Sequence, residues 1–354
     1  MNKKKILVIG ASGVLGDIIC AELLNTFSDD IELFIGDYSP QRGQETAEKY
    51  RASYCNTDLD DVVELSSIII KMDLVVVTIK QSEPIIQKIC IEGSVNCIDV
   101  TLSYSFAKKV ADLFFGITNV KSTSVVMAGL FPGLSGVMLE KIVSGFDTVT
   151  NINMTMIQNM NVSAGGNGIK DMLAIISKDI EIAGGKKYYP GFKIKRNIEI
   201  PQLSKRYAVR MITYPERNVF FEKYKLSSIN YWTAWNSRIF TTFISFLVRT
   251  KLIKICINKL SNKTIGKIVK HNDKRTEEII ILAEVDGEID GYKKIKRICL
   301  KSFSDYGTTA KTVAALAITT FKNRFCGFVY PFQIAKFDDI ISIINDNRLE
   351  IYEY

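Results

Sequence analysis

The chain has 354 residues, 47% of them hydrophobic, which is enough for two domains with real cores. Seven cysteines with no Cys-x-x-Cys pair and a single histidine, His271, exclude an obvious zinc site and a disulfide framework, so no metal is expected. The formal charge of +8 hides an asymmetry: residues 1–150 carry 13 Lys+Arg against 19 Asp+Glu, net −6, and the remainder 33 against 19, net +14.

The chain opens on Lys5-Ile-Leu-Val-Ile, an aliphatic run that reads as a buried parallel strand. It gives way at Gly10-Ala11-Ser12-Gly13-Val14-Leu15-Gly16 to a segment from Asp17 with the apolar spacing of a helix packed on a sheet. These glycines fall where a strand-turn-helix must pass close to a pyrophosphate. A side chain at Gly10 would obstruct the turn, one at Gly13 would hold phosphates off the helix N-terminus, and one at Gly16 would wedge the helix from the strand. The spacing Gly-x-x-Gly-x-x-Gly is a variant of the usual fingerprint, and glycine-rich turns also end ordinary strands. A second strand, Ile31 to Gly36, ends at Asp37, about 20 residues on, where the fingerprint wants an acid for the ribose hydroxyls. Asp37 also suits a plain turn or helix cap. As a ribose ligand it repels a 2′-phosphate and favours NAD over NADP, while Arg42 is near enough in sequence to reverse that preference. Tyr38 and Asp58 join the cofactor candidates as neighbours of the same strand ends.

Further βα units follow: a helix from Pro40 to Arg51 with Ser39 as N-cap, a strand 52–57, a helix opened by Asp58 to Asp61, and a strand 72–78. Then come a helix Pro84 to Glu92 ended by Gly93, a strand 96–100, a helix Phe106 to Phe115 and a strand 124–127. Such alternation defines a doubly wound parallel sheet, with ligands beyond the carboxyl ends of its strands. That places Thr78, Ile79 and Lys80, then Thr101, Ser103 and Tyr104, beside the cofactor. The stretch Gly129-Leu-Phe131-Pro132-Gly-Leu-Ser135 breaks the pattern and marks the domain exit, with Gly129, Phe131, Pro132 and Ser135 placed to touch the nicotinamide. Beyond it the reading is a mixed sheet with strands at Thr148 to Asn161, Lys205 to Tyr214, Val219 to Lys225 and Glu277 to Asp286. A glycine-rich turn at Ser163 to Gly168 precedes a helix 169–180, suited to a substrate carboxylate or to a simple turn. Residues 229–270 read as helical and lysine-rich, 308–321 as an apolar helix, and 337–345 as a last helix. The fold class expected is α/β: a Rossmann-type doubly wound parallel sheet plus a second α+β domain with a mixed sheet.

With these residues laid out, the chain resembles the saccharopine dehydrogenase-like oxidoreductases over nearly its whole length. The carriers are Gly10 to Gly16, Asp73-Leu-Val-Val-Val-Thr78, Cys90-Ile-Glu-Gly-Ser-Val-Asn-Cys-Ile-Asp-Val-Thr101, Ala128-Gly-Leu-Phe-Pro-Gly-Leu-Ser135 and Asp305-Tyr-Gly-Thr-Thr-Ala310. The resemblance implies a dinucleotide-binding domain at 1–128, with 305–354 folding back onto it. It implies a second domain at 129–304 for substrate and dimerisation, hence a homodimer. It implies hydride transfer at a C–N carbon, by imine reduction or secondary-amine oxidation of an amino-acid-derived substrate. The chain departs from the glutamate-forming enzymes at Phe131 to Gly136, which lacks their acidic and histidine residues, so lysine metabolism is not carried over.

Imine reduction asks little of side chains, because an iminium is already electrophilic. Polar contacts to substrate are therefore assigned to Lys80, Thr101, Ser103 and Tyr104, and His271, in a polar segment, to the surface. Tyr104 and Lys108 also match the Tyr-x-x-x-Lys pair of short-chain dehydrogenases, one βα unit too early, and Tyr292 with Lys296 matches by chance. Two rival readings stand: a carbonyl or enoyl reductase using the same groove, and a redox-silent dinucleotide-binding protein. The basic excess between Lys186 and Arg275 suits an anionic substrate or a solvated face. Segment 231–275, mixing aromatics with arginine and lysine, suits a core helix or a surface that docks on membrane or an acidic carrier. No nucleic-acid partner is expected. With no signal-peptide pattern and no apolar run near 18 residues, the expected location is cytoplasmic.

Overall fold

The computed structural model describes residues 3–161, 166–182, 187–253, 272, 274–322 and 325–354. It divides into two units, Met1–Val137 with Tyr306–Asn345, and Met138–Asp305 with Asp346–Tyr354. The division falls after Val137 rather than Ala128, and the last residues lie with the second unit.

In the first unit six strands and five helices alternate: β1 Lys4–Ile9, α1 Val14–Phe27, β2 Ile31–Asp37, α2 Pro40–Tyr50, β3 Ser53–Asn56, α3 Val62–Ile69, β4 Leu74–Val77, α4 Ile85–Glu92, β5 Asn96–Asp99, α5 Tyr104–Leu113 and β6 Thr123–Val126. All pair in parallel, in the order β6-β5-β4-β1-β2-β3, with Gly327–Val329 added beside β6. This is the doubly wound sheet. Its centre is a continuous apolar run because both faces are covered: Ile6, Leu7, Val8 and Ile9, then Val75, Val76 and Val77, are essentially inaccessible. Each such side chain contributes about 1.5–3 kcal/mol by leaving water. Register fixes what meets at the carboxyl edge. Ile9 lies beside Gly36 and Val77, Val77 beside Asp99, and Asp37 beside Asn56. Gly10, Asp37, Thr78 and Asp99 are thereby brought to one edge. The helix Asp305–Lys322 begins three residues before the expected start, and its small residues Ala310, Ala314, Ala315 and Ala317 are buried. A helix α6, Leu134–Val143, carries the chain from the first unit into the second and was not foreseen.

The second unit holds a mixed sheet. Its strands are β7 Thr148–Gln158, β10 Lys195–Ile200, β11 Lys205–Ile212, β12 Ile229–Trp235, β13 Ile279–Ile289, β14 Tyr292–Ser302 and β16 Glu350–Glu353, with a short β8–β9 ribbon, Ile180–Ile182 and Lys187–Tyr189, apart. The strand Gly327–Val329 of the first unit is β15. The order is β10-β11-β12-β7-β13-β14-β16, and only β12 with β7 is parallel. β16 on β14 is what holds the terminal residues in this unit.

Two readings need correction here. Residues 219–225 are not a strand: they are the end of the helix Glu216–Tyr224 and its C-cap Lys225, and Glu216, Val219 and Phe220 are buried at helical spacing. Residues 229–235 are not helical: they form β12, whose aromatic and β-branched side chains fill the sheet interior. The expected helix 169–180 runs instead from Gly166 to Ser177. Val162 to Gly165, residues 254–271 and His271 lie outside the described residues.

The sheet curls. Arg196 on β10 reaches Glu284 on β13, four strands along the sheet, at 2.7 Å, and Arg297 on β14 meets the same buried carboxylate at 3.0 Å. Glu284→Gln removes the charge that both guanidiniums share, and is expected to cost about 3 kcal/mol in urea unfolding.

Candidate functional site

The carboxyl edge of the parallel sheet starts at Gly10. Its φ is +84°, and a Cβ there would stand 2.5 Å from Ile79 Cγ2 and 2.6 Å from Thr78 Oγ1. Thr78 Oγ1 turns inward, donating to Ile9 O at 2.9 Å and Gly10 O at 3.2 Å, so it braces the turn. The N–H groups of Gly10 and Ala11 both donate to Gly36 O, and that of Gly13 to Gly10 O. Ala11 is buried, and Ser12 Oγ donates to Arg42 O at 3.1 Å. At Gly16 a Cβ would meet Gly10 O at 2.2 Å and Ala11 Cα at 2.8 Å, both backbone, so the close approach of α1 to the turn requires glycine. Gly13, the N-cap of α1, differs. A Cβ there would touch Gly10 O at 3.2 Å and nothing else within 4 Å, so the space above it is open. The first-turn N–H groups of Val14, Leu15 and Gly16 have no partner within the helix by geometry, and face that space with the positive end of the dipole. A pyrophosphate fits this cradle.

At the end of β2, Asp37 is buried and already engaged. Its Oδ1 accepts from Ser39 N–H at 2.8 Å, and its two oxygens accept from Arg42 Nη2 at 2.9 and 3.0 Å. Ser39 stands at the N-cap of α2 as expected, yet its side chain makes no capping bond. The bond to Asp37 raises the Arg42 pKa, against burial, and the guanidinium carbon lies 5.4 Å from the centroid of the exposed Tyr38 ring. The two residues read as alternatives for nucleotide choice are therefore one ion pair. Asp58 is exposed and caps its own turn, accepting from Asp60 N–H at 3.0 Å.

The edge continues with Asp99, which is buried. It accepts from Thr101 N–H at 2.7 Å and from Gln87 Nε2 at 2.6 Å. Gln87 Oε1 in turn accepts from Gln81 Nε2 at 3.1 Å, and Gln81 Oε1 from Ile86 N–H at 3.2 Å. This chain ties the loop after β4, which carries Lys80, to the loop after β5. Thr101 Oγ1 accepts from Ser103 N–H at 3.1 Å, and Ser103 Oγ caps α5 by accepting from Phe106 N–H at 3.2 Å. Tyr104 is the first residue of α5 and Lys108 lies one turn on. Neither Asp99, within Ile98-Asp99-Val100-Thr101, nor Gln87 is among the residues that the sequence marks as functional. A glutamine among Ile86, Ile89 and Cys90 on the buried face of a helix was the available signal.

Burial drives the Asp99 pKa up to about 7, against the pull of the Thr101 N–H and Gln87 bonds. Between the unfolded carboxyl value near 3.8 and about 7 the native state holds a proton that the unfolded state has lost. Stability therefore falls as pH rises through this window. Asp99→Asn removes that slope. The melting temperature of the variant relative to wild type is expected to climb between pH 4 and pH 7, by the equivalent of a few kcal/mol, and then level.

The turn Gly129–Ser135 is compact and buried. Leu134 and Ser135 N–H donate to Gly129 O and Leu130 O, both at 2.9 Å, and Leu130 N–H donates to Thr309 Oγ1 at 3.1 Å. A Cβ at Gly133, with φ +130°, would lie 2.1 Å from Gly129 O. Phe131, Pro132 and Ser135 are all buried.

No protein-family model matches this chain, and no curated protein matches it in sequence. Solved structures do. Apo saccharopine dehydrogenase (L-Glu forming) from Saccharomyces cerevisiae aligns with a TM-score of 0.71 at 12% identity, over 99% of this chain and 100% of that one. The fold is that of saccharopine dehydrogenase. Weaker likenesses extend to DAP dehydrogenase from C. glutamicum in complex with DAP (TM-score 0.52, 10% identity, 97% and 99% covered) and to an engineered D-amino acid dehydrogenase bound to NADP+ (0.51, 9%, 97% and 99%). The expected α/β class and the resemblance both hold at the level of saccharopine dehydrogenase architecture.

Proposed function

We propose that the chain is a cytoplasmic NAD(P)-dependent oxidoreductase acting at a C–N carbon of an amino-acid-derived, anionic small molecule, by imine reduction or secondary-amine oxidation. One observation carries the reading. The Gly10–Gly16 turn is built so tightly that Gly16 tolerates no side chain, yet it leaves the space over Gly13 open at the N-terminus of α1. A structural turn has no use for that opening, and a pyrophosphate has.

The nicotinamide would supply or accept the hydride. The chain's own residues bind and orient. The first turn of α1 holds phosphate, and Asp37, Tyr38 and Arg42 meet the adenosine ribose. The loops after β4 and β5, with Thr78, Ile79, Lys80, Thr101, Ser103 and Tyr104, frame the reacting end. Gly129, Phe131 and Pro132 are assigned to the same end. The Asp99–Gln87–Gln81 chain positions those two loops. Substrate binding and self-association into a homodimer are assigned to the second unit, whose sequence carries most of the basic excess. Support for a C–N substrate comes from the dehydrogenases of like fold, named for saccharopine, DAP and D-amino acids.

Consumption of NADH or NADPH by the purified protein tests this, with amine and keto acid offered separately and together. Oxidation that requires both partners is the expected result. Oxidation by a carbonyl or enoyl compound alone would replace the imine reading with the carbonyl reductase one.

A further inference from the structure

The second unit turns an apolar stripe outward. The helix Arg238–Arg249 is capped by Ser237, whose Oγ accepts from Phe240 N–H at 3.2 Å, and packs Thr241, Ile244, Ser245 and Val248 inward. Thr241 Oγ1 joins it to β12 by accepting from Trp235 N–H at 2.9 Å. That inner face is complete. The outer face carries Ile239, 85% exposed, Phe243, 54%, and Phe246, 57%, at the i, i+4, i+7 spacing of one helical stripe, with Leu252 exposed just beyond. Scattered exposed apolar residues need no explanation, but three large ones in a row on one helix do.

Charge identifies what covers them. Arg238, Arg249 and Lys251 are exposed at the two ends of the stripe. Arg210 on β11 lies close enough to Arg249 for that charge, after burial, to lower its pKa, and its Nε has no partner among the described residues. Among the described residues no carboxylate is paired with either guanidinium, and two such cations near one another favour an anion. The sequence has no Asp or Glu between Glu222 and Asp273, against ten Lys+Arg.

We propose that this helix seats the protein on an anionic membrane surface, with Ile239, Phe243 and Phe246 entering the headgroup–acyl boundary and Arg210, Arg238, Arg249 and Lys251 meeting lipid phosphates. An outward apolar stripe on a basic helix is the physical signature of such an interfacial segment. A second copy of the chain fits less well, because a two-fold contact would set the basic ends of this stripe against one another. Among the described residues no helix is long and apolar enough to cross a membrane.

Co-sedimentation of the full chain with phosphatidylcholine vesicles, with and without roughly a third phosphatidylserine, is the test. Binding is expected only with phosphatidylserine, falling at least about fivefold between about 0.1 M and about 0.5 M salt. The double variant Phe243→Ser, Phe246→Ser is expected to lose about tenfold in affinity while its circular dichroism and nucleotide binding stay unchanged, since both rings are outside the core. Arg249→Glu with Lys251→Glu is expected to lose the preference for phosphatidylserine. Absence of binding by the wild type would overturn the proposal. So would full binding by the double phenylalanine variant, which would reduce the effect to adsorption of a basic protein. A double variant that converts a dimer to a monomer in sedimentation velocity, with vesicle binding untouched, would assign the stripe to a second copy instead.

Discussion

Gly13→Ala is expected to leave the chain folded and to weaken NADH binding by at least about a hundredfold, whereas Gly16→Ala is expected to unfold the first unit. The two substitutions add the same methyl group to the same turn, and only the surroundings differ. At Gly16 the new carbon would stand 2.2 Å from Gly10 O and 2.8 Å from Ala11 Cα, and neither backbone atom can yield without moving α1 off the sheet. Overpacking against backbone at that distance costs about 3 kcal/mol or more. At Gly13 the φ of −81° suits any residue, and the single neighbour, Gly10 O at 3.2 Å, has to give by only a few tenths of an ångström. The cost falls on the ligand, because the methyl occupies the space in front of the first N–H groups of α1. Urea unfolding followed by circular dichroism separates the two outcomes, and nucleotide fluorescence reads the affinity. Equal nucleotide binding by Gly13→Ala and wild type would remove the pyrophosphate from this turn.

In the proposed reading the Asp37–Arg42 pair sets which nucleotide is preferred. With both carboxylate oxygens engaged by one guanidinium, the strand end presents neither a bare acid nor a bare base. An incoming ribose with free hydroxyls competes for the Asp37 oxygens at little electrostatic cost. A 2′-phosphate must draw Arg42 toward itself while facing a buried carboxylate, which favours NADH in the wild type. Asp37→Ala releases Arg42 and is expected to shift the NADPH-to-NADH affinity ratio by about tenfold or more toward NADPH. Arg42→Ala is expected to move it about as far the other way, because the phosphate then meets Asp37 alone. Paired fluorescence titrations of the two variants check both signs. The half-exposed Arg42 side chain makes the pair a matter of specificity more than of stability.

How much of this was legible in the sequence follows from how local each signal is. The alternation of β1 to β6 with α1 to α5 could be read because most of the strands, β1, β2 and β4 above all, are short apolar runs, and each helix has its own spacing. The second unit was harder. In β12 every residue but Asn230 is buried, so no two-residue alternation marks it as a strand. In β14 the first five residues, Tyr292 to Lys296, are all exposed and basic or mixed, so the strand announces itself only from Arg297 onward. Helix Glu216–Tyr224 spreads its polar and apolar residues almost evenly, and Val219-Phe-Phe within it reads as a β-branched and aromatic run. At the proposed site, the glycines and Asp37 could be picked out because they lie within one βαβ unit. The Asp99–Gln87–Gln81 chain was not, because its bonds join two loops and a helix that only the sheet register brings together. The Arg42–Asp37 pair lay between: both residues were singled out, but not that each is the other's partner.

The central claim is that the turn Gly10–Gly16 holds a nicotinamide dinucleotide. Titration of the purified wild-type chain with NADH and with NADPH, followed by nucleotide fluorescence, tests it most directly. Saturable binding of at least one nucleotide, tighter for NADH, is the result the structure leads us to expect. A wild-type protein that is well folded by circular dichroism and binds neither nucleotide would contradict the oxidoreductase assignment, and the membrane-facing helix of the second unit would then be the feature from which to seek a function.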